Sequence, residues 1–92
     1  MNKSSGPPSA LTSAQIRAAR ALIRWSADDL ARASAVGVTT IRRAELAEEE
    51  TSLTAANDRS LRRVLEDAGV EFIDENGGGA GVRMKKLFKK RS

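Results

Sequence analysis

The sequence predicts a mainly α-helical fold, with four to five helices followed by a short C-terminal β-hairpin. Two observations predict the helices: apolar residues recur at i, i+3, i+4 and i+7, and capping residues stand where these runs begin. A third predicts the hairpin, because two short apolar segments flank a glycine-rich stretch near the C-terminus. A chain of 92 residues has room for one domain with a small core.

The first helix is predicted to begin after Thr12. Thr12 and Gln15 have the T-x-x-Q spacing of a capping box. One face of the helix then carries Ile16, Ala19, Arg20 and Ile23. The preceding segment, residues 1–10, is rich in Ser, Gly and Pro and nearly free of apolar side chains, so we expect it to be disordered.

Residues 26–45 have the pattern of two short helices joined by a tight turn. Ser26 and Asp29 form an S-x-x-D capping box for the first of them. Gly37 is a tolerable N-cap for the second, which is predicted to run from Val38 to about Ala47. Its inward side would carry Ile41 and Ala44. This leaves Val38, Thr39, Arg42 and Arg43 available to a partner.

The last predicted helix begins at Thr54 and ends before Gly69, which suits the residue after a helix C-cap. Its inner face would carry Leu61, Val64, Leu65 and Ala68. Residues 70–73 and 82–84 are predicted strands around a long loop. A two-stranded hairpin is marginal in water by itself. Residues 70–85 must therefore pack on the helices or pair with a second subunit, which makes them a candidate dimerisation element.

The second and third predicted helices resemble a known motif. The residues that carry the resemblance are Leu30, Ala31, Val36, Thr40, Ile41, Arg43 and Glu45. They match in register the helix-turn-helix of the Cro and phage-repressor group of DNA-binding proteins, the XRE family, where LAxxxGVSxxTIxRxE is usual. The similarity covers roughly residues 11–69. Two departures are Ala35, where the turn usually has Gly, and Ala27, where a Gln often contacts DNA; Ala35 is tolerable if the turn residue is not strongly left-handed.

The resemblance implies a homodimeric transcriptional regulator, a repressor, that reads a pseudo-palindromic operator in double-stranded DNA. Residues 38–47 would enter the major groove. Val38, Thr39 and Arg43 fall on the usual base-facing positions, Arg42 is added to them on chemical grounds, and Thr40 would face the turn or a phosphate. Arginine can bind guanine O6 and N7 with two hydrogen bonds, and the methyl groups of Val and Thr can contact thymine.

Arg20 lies among the apolar positions of the first helix, and a buried guanidinium needs a carboxylate. The resemblance supplies Glu45 as its partner, since many members of the family pair an Arg on the first helix with the Glu that ends the recognition helix. The alternative is that the Arg20 side chain extends to water.

The net charge of +4 is unevenly distributed. Of the 16 basic residues, 6 follow Val82, so residues 1–82 contain 10 basic against 12 acidic residues, a net charge of −2. The candidates for phosphate contact in the tail are Lys85, Lys86, Lys89, Lys90 and Arg91. The alternative for residues 86–92 is a solvated, disordered run of charge.

Glu48, Glu49 and Glu50 also depart from the family, whose corresponding loop often carries basic or amide donors for phosphate. Three carboxylates near a DNA backbone would be repulsive, so the loop turns away or the DNA interface is weaker than usual. A second hypothesis follows from this charge. The same fold can serve as a protein-binding module, such as an antitoxin or an antiactivator.

Composition excludes several classes of site. The sequence contains no Cys and no His, which excludes disulfides, thiolate or imidazole metal sites and His-based catalysis. No Ser lies in a nucleophile-elbow pattern, and capping or solvation explains the carboxylates, so we expect neither an enzyme nor a cofactor. No apolar run approaches 18 residues and no signal-peptide pattern is present, so we expect a cytoplasmic protein with no membrane association.

Overall fold

The computed structural model describes residues 10–48 and 51–86, and this part of the chain is mainly helical with a hairpin near the C-terminus. The elements are α1 (Ser13–Ile23), α2 (Ala27–Ser34), α3 (Val38–Leu46), α4 (Ala55–Asp67), β1 (Val70–Ile73) and β2 (Gly81–Met84). A mainly helical fold of four to five helices followed by a hairpin was predicted; the described residues contain four helices and the hairpin, which confirms this architecture. The predictions for residues 1–9, for Glu49 and Glu50, and for residues 87–92 lie outside the described residues.

The starts of the helices follow the capping residues of the sequence. At α1, Thr12 Oγ1 accepts a hydrogen bond from the Gln15 N–H at 3.0 Å, and Gln15 Oε1 accepts one from the Thr12 N–H at 2.9 Å. Ser26 and Asp29 repeat this reciprocal arrangement at α2, with distances of 3.0 and 2.9 Å. Both predicted capping boxes therefore form, and each satisfies two backbone donors that the helix itself leaves unpaired.

The helix ends show one difference from the prediction. Helix α3 stops at Leu46, one residue early, because Ala47 is extended with φ −65° and ψ 142°. Helix α4 ends as expected before Gly69, whose φ of +110° is in the region that favours glycine. A Cβ on Gly69 would also lie 3.0 Å from Met84 Cε, so this turn needs glycine for space as well as for conformation.

One hydrophobic core joins the four helices to β1. Its largest fully buried side chains are Ile16, Leu30, Ile41, Leu61, Leu65 and Val70. Each of α1, α2 and α3 contributes one of them, and α4 contributes two. Trp25, between α1 and α2, is half-buried and packs against this core. Ile41 and Ala44 point inward, as predicted, and this fixes which side of α3 faces outward.

The hairpin pairs β1 with β2 in antiparallel register, with Val70 opposite Met84 and Phe72 opposite Val82. It packs against α1 and α4, whereas α3 packs against α1 and α2. Phe72 and Val82 lie against the core, and the Arg62 guanidinium lies 5.3 Å from the centroid of the Phe72 ring. Helix α1 thus lies between the hairpin and α3.

Gln15 connects α1 to the loop end of the hairpin. Its side chain is buried, and its Nε2 donates to the carbonyl oxygens of Ile73 at 3.2 Å and of Gly81 at 3.0 Å. The Oε1 atom of the same amide accepts the capping bond from Thr12. One buried amide therefore caps α1 and holds both strands of the hairpin against it.

No helix in the described part of the chain is long and apolar enough to cross a membrane.

Candidate nucleic-acid interface

The turn between α2 and α3 is left-handed at Ala35, with φ 62° and ψ 20°. Alanine was expected to be tolerable here only if the turn residue was not strongly left-handed, and the structure does not meet this condition. A residue with a Cβ carries a cost of about 1 to 2 kcal/mol in this region. The Ala35 N–H bonds to the Ala31 carbonyl at 2.9 Å, so the conformation is the one that terminates α2.

Two serines hold this turn in place, and the sequence predicted a role for neither of them. Ser34 is buried; its Oγ donates to the Leu30 carbonyl at 2.7 Å and accepts from the Val36 N–H at 3.1 Å. From α4, Ser60 Oγ donates to the Ser34 carbonyl at 2.9 Å. With Val36 buried in the core, the turn is fixed from both sides, and the orientation of α3 relative to α2 is fixed with it.

The exposed side of α3 carries Thr39, Arg42, Arg43 and Leu46, which we call the α3 outer face. These residues recur at i, i+3, i+4 and i+7 and so share one side of the helix. Within the described part of the chain, neither Arg42 nor Arg43 forms an ion pair. Leu46 is 80% exposed and was not among the predicted site residues, although its helical spacing from Thr39 could have indicated it.

The other two predicted contact residues of α3 are less accessible. Val38 is half-buried and packs against the core, and Thr40 is also half-buried. Their side chains flank the α3 outer face at its N-terminal end. The structure therefore leaves Thr39, Arg42 and Arg43 as the most accessible of the five residues predicted to contact DNA.

Arg20 and Glu45 lie together between α1 and α3. Arg20 Nε is 2.7 Å from Glu45 Oε2, and Nη2 is 2.8 Å from Oε1, so the contact has two parallel hydrogen bonds. The Arg20 side chain is 23% exposed and that of Glu45 8%. Hydrogen bonding to Glu45 raises the pKa of the Arg20 guanidinium against the opposing effect of burial. Arg20 Nη1 also donates to the Trp25 carbonyl at 2.9 Å, which ties the pair to the start of α2.

Two further side chains of α1 hold the C-terminal end of α3. Arg17 Nη1 donates to the Glu45 carbonyl, and Ser13 Oγ donates to the Ala47 carbonyl at 2.8 Å. Carbonyl groups at the end of a helix have no partner within it. Helix α1 supplies these partners, so the last turn of α3 and its outer face are attached to α1 through backbone as well as side-chain contacts.

Acidic side chains lie in the first turn of α2 and just after the end of α3. Asp28 and Asp29 occupy the first turn of α2, where the helix dipole favours negative charge, and Glu48 is exposed after α3. The hydrogen bond from the Ser26 backbone N–H is the main cause that lowers the pKa of the Asp29 carboxyl, and Arg32 adds an exposed ion pair at 2.7 Å. These groups lower the local positive charge that Arg42 and Arg43 provide.

The predicted phosphate contacts of the tail are only partly described. Lys85 Nζ donates to the Glu66 carbonyl at the end of α4 at 2.9 Å, and the Lys85 N–H donates to the Gly69 carbonyl at 2.7 Å. Lys85 therefore stabilises a helix end beside the hairpin, on the other side of α1 from α3. Lys86 is exposed. Lys89, Lys90 and Arg91 lie outside the described residues.

We expect Ala35→Gly to stabilise the protein by about 0.5 to 1 kcal/mol, because glycine removes the Cβ strain while adding some entropy to the unfolded chain. The measurement is urea unfolding of both proteins. Ala33→Gly is the matched control, because Ala33 is exposed inside α2 and glycine there should destabilise by about 0.5 to 1 kcal/mol. Loss of stability in Ala35→Gly would show that the turn carries no strain.

The described residues contain no group of three or more acidic side chains arranged to hold a metal ion. Neither the models of known protein families nor the curated proteins include a match to this chain.

Proposed function

We propose that the protein is a sequence-specific DNA-binding regulator, a repressor of the Cro and phage-repressor type, that inserts α3 into the major groove. It is proposed to act without catalysis and without a cofactor. The observation that carries the proposal is the α3 outer face, where two exposed arginines project from a helix whose opposite side is buried.

The attachment of α3 supports this proposal. Base readout requires side chains held at fixed positions relative to the DNA backbone, since a bidentate hydrogen bond tolerates little displacement. Contacts from α1 hold the C-terminal end of α3, and the serine-held turn fixes its N-terminal end. The helix is therefore presented as a rigid element, although it is only 9 residues long.

The chemistry of the outer face fits base-edge recognition. Arg42 and Arg43 can each donate two hydrogen bonds to guanine O6 and N7 or bind a phosphate. Thr39 offers a methyl group to thymine and a hydroxyl group to a base or a phosphate. Val38 and Thr40, being half-buried, would contribute at the edge of the contact.

We expect Arg43→Ala to weaken binding to a preferred duplex by about 1 to 3 kcal/mol and to relax selectivity at one base position, which is the effect of removing one bidentate base contact. The measurement is a titration of both proteins against the preferred duplex and its single-base variants. Arg59→Ala is the control, because Arg59 is an exposed arginine on α4. An equal loss on all sequences would assign Arg43 to phosphate instead.

A homodimer formed through the hairpin is the second part of the proposal. In the described residues the sheet has two strands, and Met84 on β2 is 44% exposed. A second copy could pair with an outer strand and cover this apolar side chain. The dimer would read a pseudo-palindrome with half-sites about 10 to 11 base pairs apart. Sedimentation at tens of micromolar should then show a dimer, and a monomer with and without DNA would contradict it.

The exposed acidic groups favour one other function, a protein-binding module such as an antitoxin or an antiactivator. Asp28 lies at the start of α2 and Glu48 after the end of α3, and residues 1–82 have a net charge of −2. This negative charge suits binding to a basic protein surface better than binding to a polyanion. Selection from a random-sequence duplex pool separates the two functions. Enrichment of a sequence at moderate salt supports DNA readout, whereas its absence favours the protein-binding module.

A further inference from the structure

The hairpin loop places an asparagine directly before a glycine. Asn76 and Gly77 lie in the exposed segment between β1 and β2. Gly77 has a φ of +100°, and apart from its two chain neighbours no atom of the described residues lies within 4 Å of the position that a Cβ would occupy. Gly77 therefore places no side chain beside its backbone nitrogen, the atom that can close a five-membered ring on the side-chain carbonyl carbon of Asn76.

Glu75 is in contact with this nitrogen. Its Oε2 accepts a hydrogen bond from the Gly77 N–H at 3.0 Å and a second one from the Gly79 N–H at 3.1 Å. The second bond holds the carboxylate in position while the first places it on the proton that must leave the nucleophile. This is the geometry required of a general base.

The electrophile also has a hydrogen-bond donor. The Gly78 N–H donates to Asn76 Oδ1 at 3.3 Å. Attack on the side-chain carbonyl would place negative charge on this oxygen, and a backbone donor that already points at it stabilises that charge. Three consecutive glycines therefore provide the nucleophile, the oxyanion donor and the second anchor for the base.

We propose that Asn76 is a site of self-modification by deamidation, with Glu75 as the general base. The Glu75 carboxylate takes the proton from the Gly77 nitrogen, and a bond forms between this nitrogen and Asn76 Cγ. The Cγ–Nδ2 bond then breaks, and Nδ2 takes up a proton and leaves as ammonia. One water molecule opens the cyclic imide to aspartate or isoaspartate, so the net reaction consumes water and releases ammonia.

The reaction adds one negative charge to the hairpin loop. The isoaspartate product also lengthens the backbone between positions 76 and 77 by one methylene group. Both changes fall in the loop that joins Ile73 to Gly81, the strand ends that Gln15 binds. The inference does not depend on DNA binding.

The test uses the full-length protein incubated at pH 7.4 and 37 °C, followed by tryptic digestion and mass spectrometry. Residues 64–83 form a tryptic peptide whose single amide side chain is Asn76, and residues 44–59 form one whose single amide side chain is Asn57. Asn57 is an internal control, because the following N–H, that of Asp58, donates to the carbonyl of the N-cap residue Thr54 at 2.9 Å at the start of α4. We expect Asn76 to convert at least about tenfold faster than Asn57, because the Gly77 N–H is bonded to a carboxylate that can take its proton, whereas the Asp58 N–H is held by a backbone carbonyl.

Glu75→Gln tests the role of the base, since glutamine retains a hydrogen-bond acceptor but cannot take up the proton. We expect conversion of Asn76 to slow by about tenfold, less than in a buried active site because the loop is exposed. Glu71→Gln is the matched control in the same peptide and should leave the rate unchanged. Equal rates at Asn76 and Asn57 would overturn the site, and an unchanged or faster rate in Glu75→Gln would overturn the role of Glu75.

Discussion

Replacement of Glu45 by alanine is expected to destabilise the protein by about 3 to 4 kcal/mol, because it leaves the Arg20 guanidinium between α1 and α3 without its carboxylate. Glu45 accepts two hydrogen bonds from Arg20 and is itself only 8% exposed on its side chain. Arg20 keeps its bond to the Trp25 carbonyl and some contact with water, which places the loss at the low end for a broken buried pair. Urea unfolding at pH 7 measures it.

The hairpin provides a matched control for this variant. Arg83 and Glu71 also form a bidentate pair, at 3.1 and 3.3 Å, but their side chains are 64% and 45% exposed. Hydrogen bonding to Arg83 lowers the pKa of the Glu71 carboxyl. Because water screens this pair, Glu71→Ala should leave the unfolding curve nearly unchanged. Similar losses in Glu45→Ala and Glu71→Ala would show that burial does not determine the contribution of the Arg20 pair.

Gln15→Glu is expected to destabilise the protein by about 2 to 4 kcal/mol at pH 7, because it places a buried carboxylate against two carbonyl oxygens. Nε2 of Gln15 lies 3.2 Å from the Ile73 oxygen and 3.0 Å from that of Gly81, and a carboxylate has no proton to donate to either. The capping bond to Thr12 would survive, so the loss would report on attachment of the hairpin.

The loss should also depend on pH. Burial beside two acceptors raises the pKa of the introduced carboxyl in the folded protein above its value in the unfolded chain. The folded state then binds a proton more tightly, so the destabilisation shrinks as pH falls through the raised pKa and is largest above it. Unfolding at pH 7 and pH 5 measures the difference. Ala14→Glu adds the same charge at an exposed position of α1 and should show no such loss.

The sequence predicted three of the four residues of the α3 outer face. Helical spacing identified the exposed positions Thr39, Arg42 and Arg43, because burial of Ile41 and Ala44 decides which side of α3 faces outward. It did not identify Leu46. The prediction ended the available face at Arg43, whereas the extended conformation of Ala47 ends the helix at Leu46. Among the residues that the structure describes, the Leu46 side chain is 80% exposed.

The left-handed turn at Ala35 shows a different limit of sequence reasoning. Glycine is the usual signal for such a conformation, and alanine at this position gives no local sign of it. The conformation follows from the need to bring α3 across α2 while Ser34 and Val36 are buried, and Ser60 contributes to it from α4. Tertiary contacts stabilise the turn against its local preference.

The sequence by itself determined the features that depend on neighbours three or four residues apart. The capping boxes of Thr12 and Ser26 are such features, as are the buried face of α4 and the helix end at Gly69, because the helix repeat fixes which residues meet.

Only the tertiary structure decided which distant groups satisfy one another. Gln15 reaches carbonyls 58 and 66 residues away, and Arg17 reaches the Glu45 carbonyl 28 residues away. Capping alone accounts for a polar side chain at the start of a helix. The local sequence therefore does not predict that such a side chain also has a second, distant partner. That partner is set by how the helices and the hairpin pack, since burial makes every unpaired polar group costly and the fold brings these donors and acceptors together.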